Sequence, residues 1–215
     1  MSKTDIILIG AGGHCRSVID AIESAGTYAI KGIVDKAELV GSEVMGYKVI
    51  GTDNDIPSII ASCKQFHITI GHIKSNAARV GLFERIKSLG GIFPTVIAST
   101  AYVSAHARLG EGTAIMHNAF VNAGAEIGNN CIINTGAVIE HDVTIADHCH
   151  IATGAYINGG CSVGSHSFIG SRSVLVQKTA VGSNTILAAG TVLTRDADAF
   201  SLYAGNPATL KKKLN

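Results

Sequence analysis

Glu140-His141-Asp142 sets one imidazole between two carboxylates. A carboxylate bonded to one ring nitrogen fixes the tautomer and raises the basicity of the other, which makes a general base for an amine or hydroxyl nucleophile. Either acid can serve, and an exposed histidine beside surface acids is the plainer alternative. A second group is Gly10-Ala11-Gly12-Gly13-His14, between an apolar run and a helical pattern. Glycines there let a phosphate approach the backbone, and a helix N-terminus favours an anion. The spacing is not GxGxxG, so a nicotinamide site is disfavoured. Asp35 ends the next apolar run, where a carboxylate meets a ribose or base edge. A tight strand-to-helix turn is the purely structural reading of this loop.

Metal chemistry finds less support. His148 and His166 are eighteen residues apart, while His106 and His117 fall in other positions of the pattern described below. A pair is short of the three protein ligands a catalytic zinc needs. The five cysteines show no CxxC spacing, and Cys131, Cys149 and Cys161 occupy positions reserved for small interior residues.

Two kinds of pattern must position these groups. From residue 1 to about 90, apolar runs alternate with helical spacing. Asp5 to Gly10, Tyr28 to Val34 and Phe66 to Ile70 read as strands; Ser17 to Ala25, a segment opening at Asp55-Ile56-Pro57, and Ala77 to Leu89 read as helices. That order predicts a small Rossmann-like parallel sheet over residues 1–92.

From Ile97 to Leu193, every sixth residue is aliphatic, seventeen times without a slip. With Ile, Leu and Val near a quarter of the chain, chance gives odds on the order of 10⁻⁹. Four places after each aliphatic stands Ala, Thr, Ser, Cys or Val. Gly110, Gly128, Gly164 and Gly182 recur at multiples of eighteen, with Ala146 filling the gap. Six residues cover one face of a triangular prism and eighteen complete a coil, with the aliphatic inward. The expectation is a left-handed parallel β-helix over residues 97–196. The recurrent glycines are expected to supply a special corner conformation, and Asn122, Asn134 and Asn158 to tolerate the left-handed region. His141, two places after an inward aliphatic, faces outward. Residues 197–215 are expected to leave the repeat as a C-terminal tail, with a short helix over Thr209 to Leu214 carrying Lys211, Lys212 and Lys213.

Composition agrees. The chain has 215 residues, 47% hydrophobic and 15% charged, which excludes a disordered or fibrous chain. A net charge of +1 gives no electrostatic basis for nucleic-acid binding. No apolar run approaches the ~20 residues of a membrane-spanning helix. The N-terminus lacks signal-peptide features, so a reducing cytoplasm is expected.

The six-residue column, the Gly10-to-His14 loop and Gly205-Asn206-Pro207-Ala208 together resemble the sialic acid O-acetyltransferase-like family of sugar acyltransferases. The resemblance is nearest to bacterial enzymes that acetylate the 4-amino group of a UDP-linked 4-amino-4,6-dideoxy sugar. It implies acetyl-CoA as co-substrate, no metal, and a homotrimer with its active site between chains. It implies His141 as base with Asp142 as partner and Glu140 as the alternative. Gly12, Gly13, His14, Asp35, Lys36, Gly71 and Asn134 would bind the UDP-sugar. His150, Gly159, Ser171 and Ala189 would bind acetyl-CoA, with Gly160 a further N–H donor to the thioester carbonyl. The competing readings are O-acetylation of a sialic acid or other sugar and, from a different class, a metal hydratase or a β-helix used only as a scaffold.

Overall fold

The computed structural model describes residues 3–214. Its N-terminal part contains β1 (Thr4–Ile9), α1 (Gly13–Ala25), β2 (Tyr28–Val34), β3 (Glu43–Val44), β4 (Tyr47–Gly51), α2 (Ile56–Ile59), β5 (Phe66–Ile68) and α3 (Ala77–Ser88). The strands form one sheet in the order β3-β4-β2-β1-β5. All neighbours are parallel except the β3–β4 hairpin at the edge. β1 lies between β2 and β5, and its Ile6–Ile9 stretch is buried on both faces, which is why that stretch is continuously apolar rather than alternating. Pro57 lies in the first turn of α2, where its missing N–H is not needed. Asp55 bonds back to Thr52 N–H, 2.7 Å, instead of capping that helix.

Seventeen two-residue strands follow, from Val96–Ile97 to Val192–Leu193. Each pairs in parallel with a strand eighteen residues before or after it, Phe120 with Val138 for example, so three sheets enclose one column of aliphatics. Most of the small residues beside this column are buried, and most of their polar members are satisfied, although Thr191 Oγ1 is buried without a partner among the described residues. Cys149 Sγ donates to Gly164 O at 3.1 Å, and Ser167 Oγ to Gly182 O at 3.0 Å, each reaching a carbonyl of the next coil. Cysteine and serine at these places therefore substitute for alanine without an unpaired polar atom.

The recurrent glycines have a different role from the one expected. Gly110, Gly128, Gly164 and Gly182 do not have positive φ. A Cβ on Gly110 would lie 2.5 Å from Gly128 C, and one on Gly164 2.5 Å from Ser183 N. Close approach of successive coils excludes a side chain there. Left-handed backbone occurs two residues later in the corner, at Asn118, Asn130, Asp142, His148, His166, Arg172, Lys178 and Asn184. Asn122, Asn134 and Asn158 are accordingly not left-handed.

The three outward faces differ. One carries Val96, Ala114, Ile132, His150 and Phe168, all buried, and the N-terminal domain docks on it through α1 and α3. The second carries Tyr102, Phe120, Val138, Tyr156, Val174 and Val192 in one register. It is open, with Tyr156 49% exposed. The third carries Arg108, Glu126, Thr144 and Ser162, all exposed. Met116 is buried beneath α1.

The C-terminal residues do not form a helix. Ser201–Ala204 pairs in parallel with Ile186–Leu187 and extends the docked sheet, and Thr209–Lys213 returns antiparallel along it. The lysines stand on this exposed edge strand, where charge discourages further strand pairing.

Candidate active site

His141 lies at the corner between the apolar and polar faces, with its side chain 56% exposed, as the register requires. Its Nδ1 is 2.9 Å from Asp142 Oδ2. Glu140 turns away and accepts from Asn122 Nδ2 at 2.7 Å. The carboxylate on the imidazole is therefore that of Asp142. Its backbone is left-handed, φ 59°, which brings a short side chain back over the preceding residue. Gly159 lies one coil on, and a Cβ there would be 2.6 Å from His141 Nε2. The Gly160 N–H is bonded to His141 O at 3.0 Å and is not free for a substrate. The Gly159 N–H makes no hydrogen bond among the described residues.

A second cluster lies under the N-terminal domain. His150 Nδ1 is 2.8 Å from His72 O, which makes Nδ1 the donor and leaves Nε2 to accept from Asn134 Nδ2 at 3.2 Å. Burial pulls His150 down to about 4, so the ring is neutral. Burial also pulls His14 and His72 to about 3. The His72 ring meets His150 edge-on at 5.4 Å, and the His14 ring lies 6.5 Å from it. Gly71 packs against His14, a Cβ there falling 3.7 Å from His14 Cβ. His14 Nε2 is buried with no partner among the described residues.

A third group lines a cleft of about 660 Å³ at the carboxyl ends of β1 and β2. Asp35 accepts from Ala11 N–H and, at 2.6 Å, from Lys36 N–H, so it ties the glycine loop to the end of β2. Gly10 is the glycine this turn requires: its φ is 108°, and a Cβ would lie 2.6 Å from Ile70 Cγ1. Cβ atoms on Gly12 and Gly13 would meet nothing within 4 Å, so the start of α1 presents open space to a ligand. Lys36, Thr52, Asp53, Asn54 and Arg85 complete the polar lining.

Ser171 and Ala189 line a groove of about 610 Å³ with Phe168, Leu202 and Lys212, at the corner between the docked and apolar faces. One chain therefore keeps the His141–Gly159 corner apart from the Ser171–Ala189 corner, with the apolar face between them.

The sequence reading missed Arg79. It is fully buried and donates to Ile68 O at 2.7 Å, Ile70 O at 3.0 Å and Asn130 O at 3.3 Å, joining β5 to a β-helix corner. Its spacing with Phe83 and Ile86 on the buried side of α3 was the available signal. His148 and His166 stack at 5.0 Å, and Asn76 bridges them through His148 O and His166 Nδ1. Among the described residues, no group of three or more His, Cys, Asp or Glu is placed to hold a metal ion. No described helix is long and apolar enough to cross a membrane.

An α/β domain docked on a hexapeptide β-helix recurs among acyltransferases, as comparison with known proteins shows. Residues 5–86 match the PglD N-terminal domain. Residues 106–141 and 124–159 match the bacterial transferase hexapeptide, and 160–195 the hexapeptide repeat of succinyl-transferase. A histidine-to-asparagine mutant of perosamine N-acetyltransferase from Caulobacter crescentus, solved with CoA and GDP-perosamine, is 32% identical over 99% of each chain, with a TM-score of 0.92. The acetyltransferase domain of PglB from Neisseria gonorrhoeae, solved with acetyl coenzyme A, is 31% identical over 97% of this chain and 100% of that one, with a TM-score of 0.90. WeeI from Acinetobacter baumannii shares the fold at 24% identity and a TM-score of 0.86. A sequence search of curated proteins finds no match. The chain belongs to the sugar acyltransferases of the left-handed β-helix family.

Proposed function

We propose that the protein transfers the acetyl group of acetyl-CoA to the amino group of a nucleotide-linked amino sugar. The observation that carries this reading is the exposed His141–Asp142 pair packed against Gly159, whose N–H makes no hydrogen bond among the described residues. A base and an oxyanion donor are the two parts that acyl transfer from a thioester requires. The sugar amine attacks the thioester carbonyl and forms the N–C bond. His141 Nε2 takes the proton that the amine loses. The Gly159 N–H steadies the oxyanion, the C–S bond breaks, and the leaving thiolate takes the proton back from the imidazolium. His150, fixed by Asn134 and His72 O, is on the other side of the apolar face from His141, so it would reach the acyl group from a neighbouring chain, as a neutral ring.

The start of α1 at Gly12 and Gly13 takes the diphosphate, and the cleft lined by Gly10, Asp35 and Lys36 takes the nucleoside. GDP-perosamine in the Caulobacter relative and a UDP-linked 4-amino-4,6-dideoxy-N-acetyl sugar are the two acceptors to compare.

The site is completed by a second chain. The His141–Gly159 and Ser171–Ala189 corners border the same apolar face. Packing that face about a threefold axis covers Tyr102, Phe120 and Tyr156 and sets one corner of each prism against the other corner of its neighbour. The assembly is then a cytoplasmic homotrimer.

The test is thiol release from acetyl-CoA with GDP-perosamine, the UDP-4-amino sugar, the free amino sugar and a hydroxyl-bearing nucleotide sugar. Turnover is expected with a nucleotide-linked amine, and His141→Ala should lower kcat by about 10² to 10⁴. Preferred acetylation of a hydroxyl, or near wild-type kcat in folded His141→Ala, overturns the reading.

A further inference from the structure

The acid that orients His141 is itself held in place by a gap. Asp142 Oδ2 faces His141, while Asp142 Oδ1 lies against Gly124, eighteen residues earlier and one coil away. A Cβ on Gly124 would be 2.6 Å from that oxygen. The two coils are held together beside this contact by the Asp142 N–H to Ala123 O bond at 3.3 Å and by ladder bonds on either side, Asn122 N–H to Ile139 O at 2.9 Å and Glu126 N–H to Val143 O at 2.8 Å. The carboxylate would have to turn. We propose that Gly124 is a positioning residue for acyl transfer: its absent side chain is the space that lets the Asp142 carboxylate face His141. The inference rests on His141 being the base.

Left-handed backbone alone does not explain the glycine. Gly124 has φ 75°, but the same column holds Asn118, Asn130, Arg172 and Lys178 with φ between 52° and 63°. Gly136 belongs to this column with φ 65°, and a Cβ there would meet nothing within 4 Å. Alanine at either position carries the same backbone penalty. Only at position 124 does it meet the carboxylate. The atom met is the free end of a side chain, so the damage falls on orientation rather than on stability.

Kinetics, melting temperature and a crystal structure for Gly124→Ala and Gly136→Ala test this. Acetyl-CoA and the preferred nucleotide amino sugar are the substrates. Gly124→Ala is expected to lower kcat by about 10- to 100-fold, as a misplacement near 1 Å does. KM for acetyl-CoA should hold, and melting temperature should fall no further than in Gly136→Ala, whose kcat stays within about twofold. In an Asp142→Gly background, adding Gly124→Ala should change kcat by less than about twofold, because the carboxylate it displaces is gone. The crystal structure of Gly124→Ala should show Asp142 Oδ2 withdrawn from His141 Nδ1. Equal kcat in the two alanine variants, or a retained 2.9 Å contact, overturns the proposal. A fully active His141→Ala would refute the base assignment instead, and the crystallographic distance would still decide the role of Gly124. If alanine prevents folding, Gly124→Asn repeats the test with a residue that accepts left-handed backbone.

Discussion

The imidazole of His141 lies across Gly159, and a Cβ at that glycine would stand 2.6 Å from His141 Nε2. In the proposed reaction, the nitrogen that receives a proton thus lies over a backbone kept bare of side chains by the neighbouring coil. Gly159 does not have positive φ, so alanine there adds no backbone strain. Gly159→Ala should lower kcat by about tenfold or more through displaced geometry, with little change in melting temperature. Steady-state kinetics and thermal unfolding on the same sample check this.

Arg79 should be among the costliest single positions for stability. Its guanidinium serves carbonyls on both domains and has no carboxylate partner among its hydrogen bonds. Burial lowers it only to about 10, so it stays charged at neutral pH. Arg79→Met fills similar space but leaves buried carbonyls unpaired, at about 1 to 3 kcal/mol for each that water cannot reach. Urea unfolding should show a loss of at least ~3 kcal/mol, and Arg79→Lys should recover only part of it.

Acid should weaken the fold through the buried histidines. Burial takes His67 from 6.5 to about 3, and it is fully buried. A histidine whose folded pKa is depressed stays neutral in the native state while the unfolded chain takes up its proton. Stability is then constant above the unfolded value and falls as pH drops from about 6.5 toward 3. The slope is at most ~1.4 kcal/mol per pH unit for each such group. His67→Leu should flatten the fall between pH 6 and 4, read by urea unfolding at several pH values.

Asp35→Ala should raise KM for the nucleotide sugar and leave KM for acetyl-CoA near wild type. Asp35 ties the glycine loop to β2 and lines the cleft proposed for the nucleotide, which shares no lining residue with the Ser171–Ala189 groove. Equal effects on both KM values would place the nucleotide elsewhere.

Tyr156→Glu should break the proposed trimer and with it turnover. The phenol ring is 49% exposed in the middle of the apolar face, where a packed neighbour would bury the introduced charge. Light scattering that still shows trimer would remove that face from the interface.

Much of this was legible in the sequence because a β-helix is nearly one-dimensional. Each residue contacts what lies eighteen places away, so the inward aliphatics, the outward His141 and the stacked His148 and His166 follow from counting. The strands of the N-terminal sheet were equally plain, since buried parallel strands are written as continuous apolar runs. The C-terminal segment was misread because Lys211 to Lys213 fit a helix end by composition; only pairing with Ser201–Ala204 makes them a strand.

The sequence by itself determined the period, the inward column, the two domains and the presence of an imidazole beside acids. Tertiary structure decided which acid. Asp142 and Glu140 are equivalent in a linear string, but left-handed backbone at position 142 and the amide of Asn122 turn one carboxylate toward the ring and the other away. It likewise decided that Arg79 and His150 belong to a contact between domains, and that the recurrent glycines serve close stacking. These outcomes depend on distances between segments that share no local pattern, and such distances are set only when the coils and the docked domain pack.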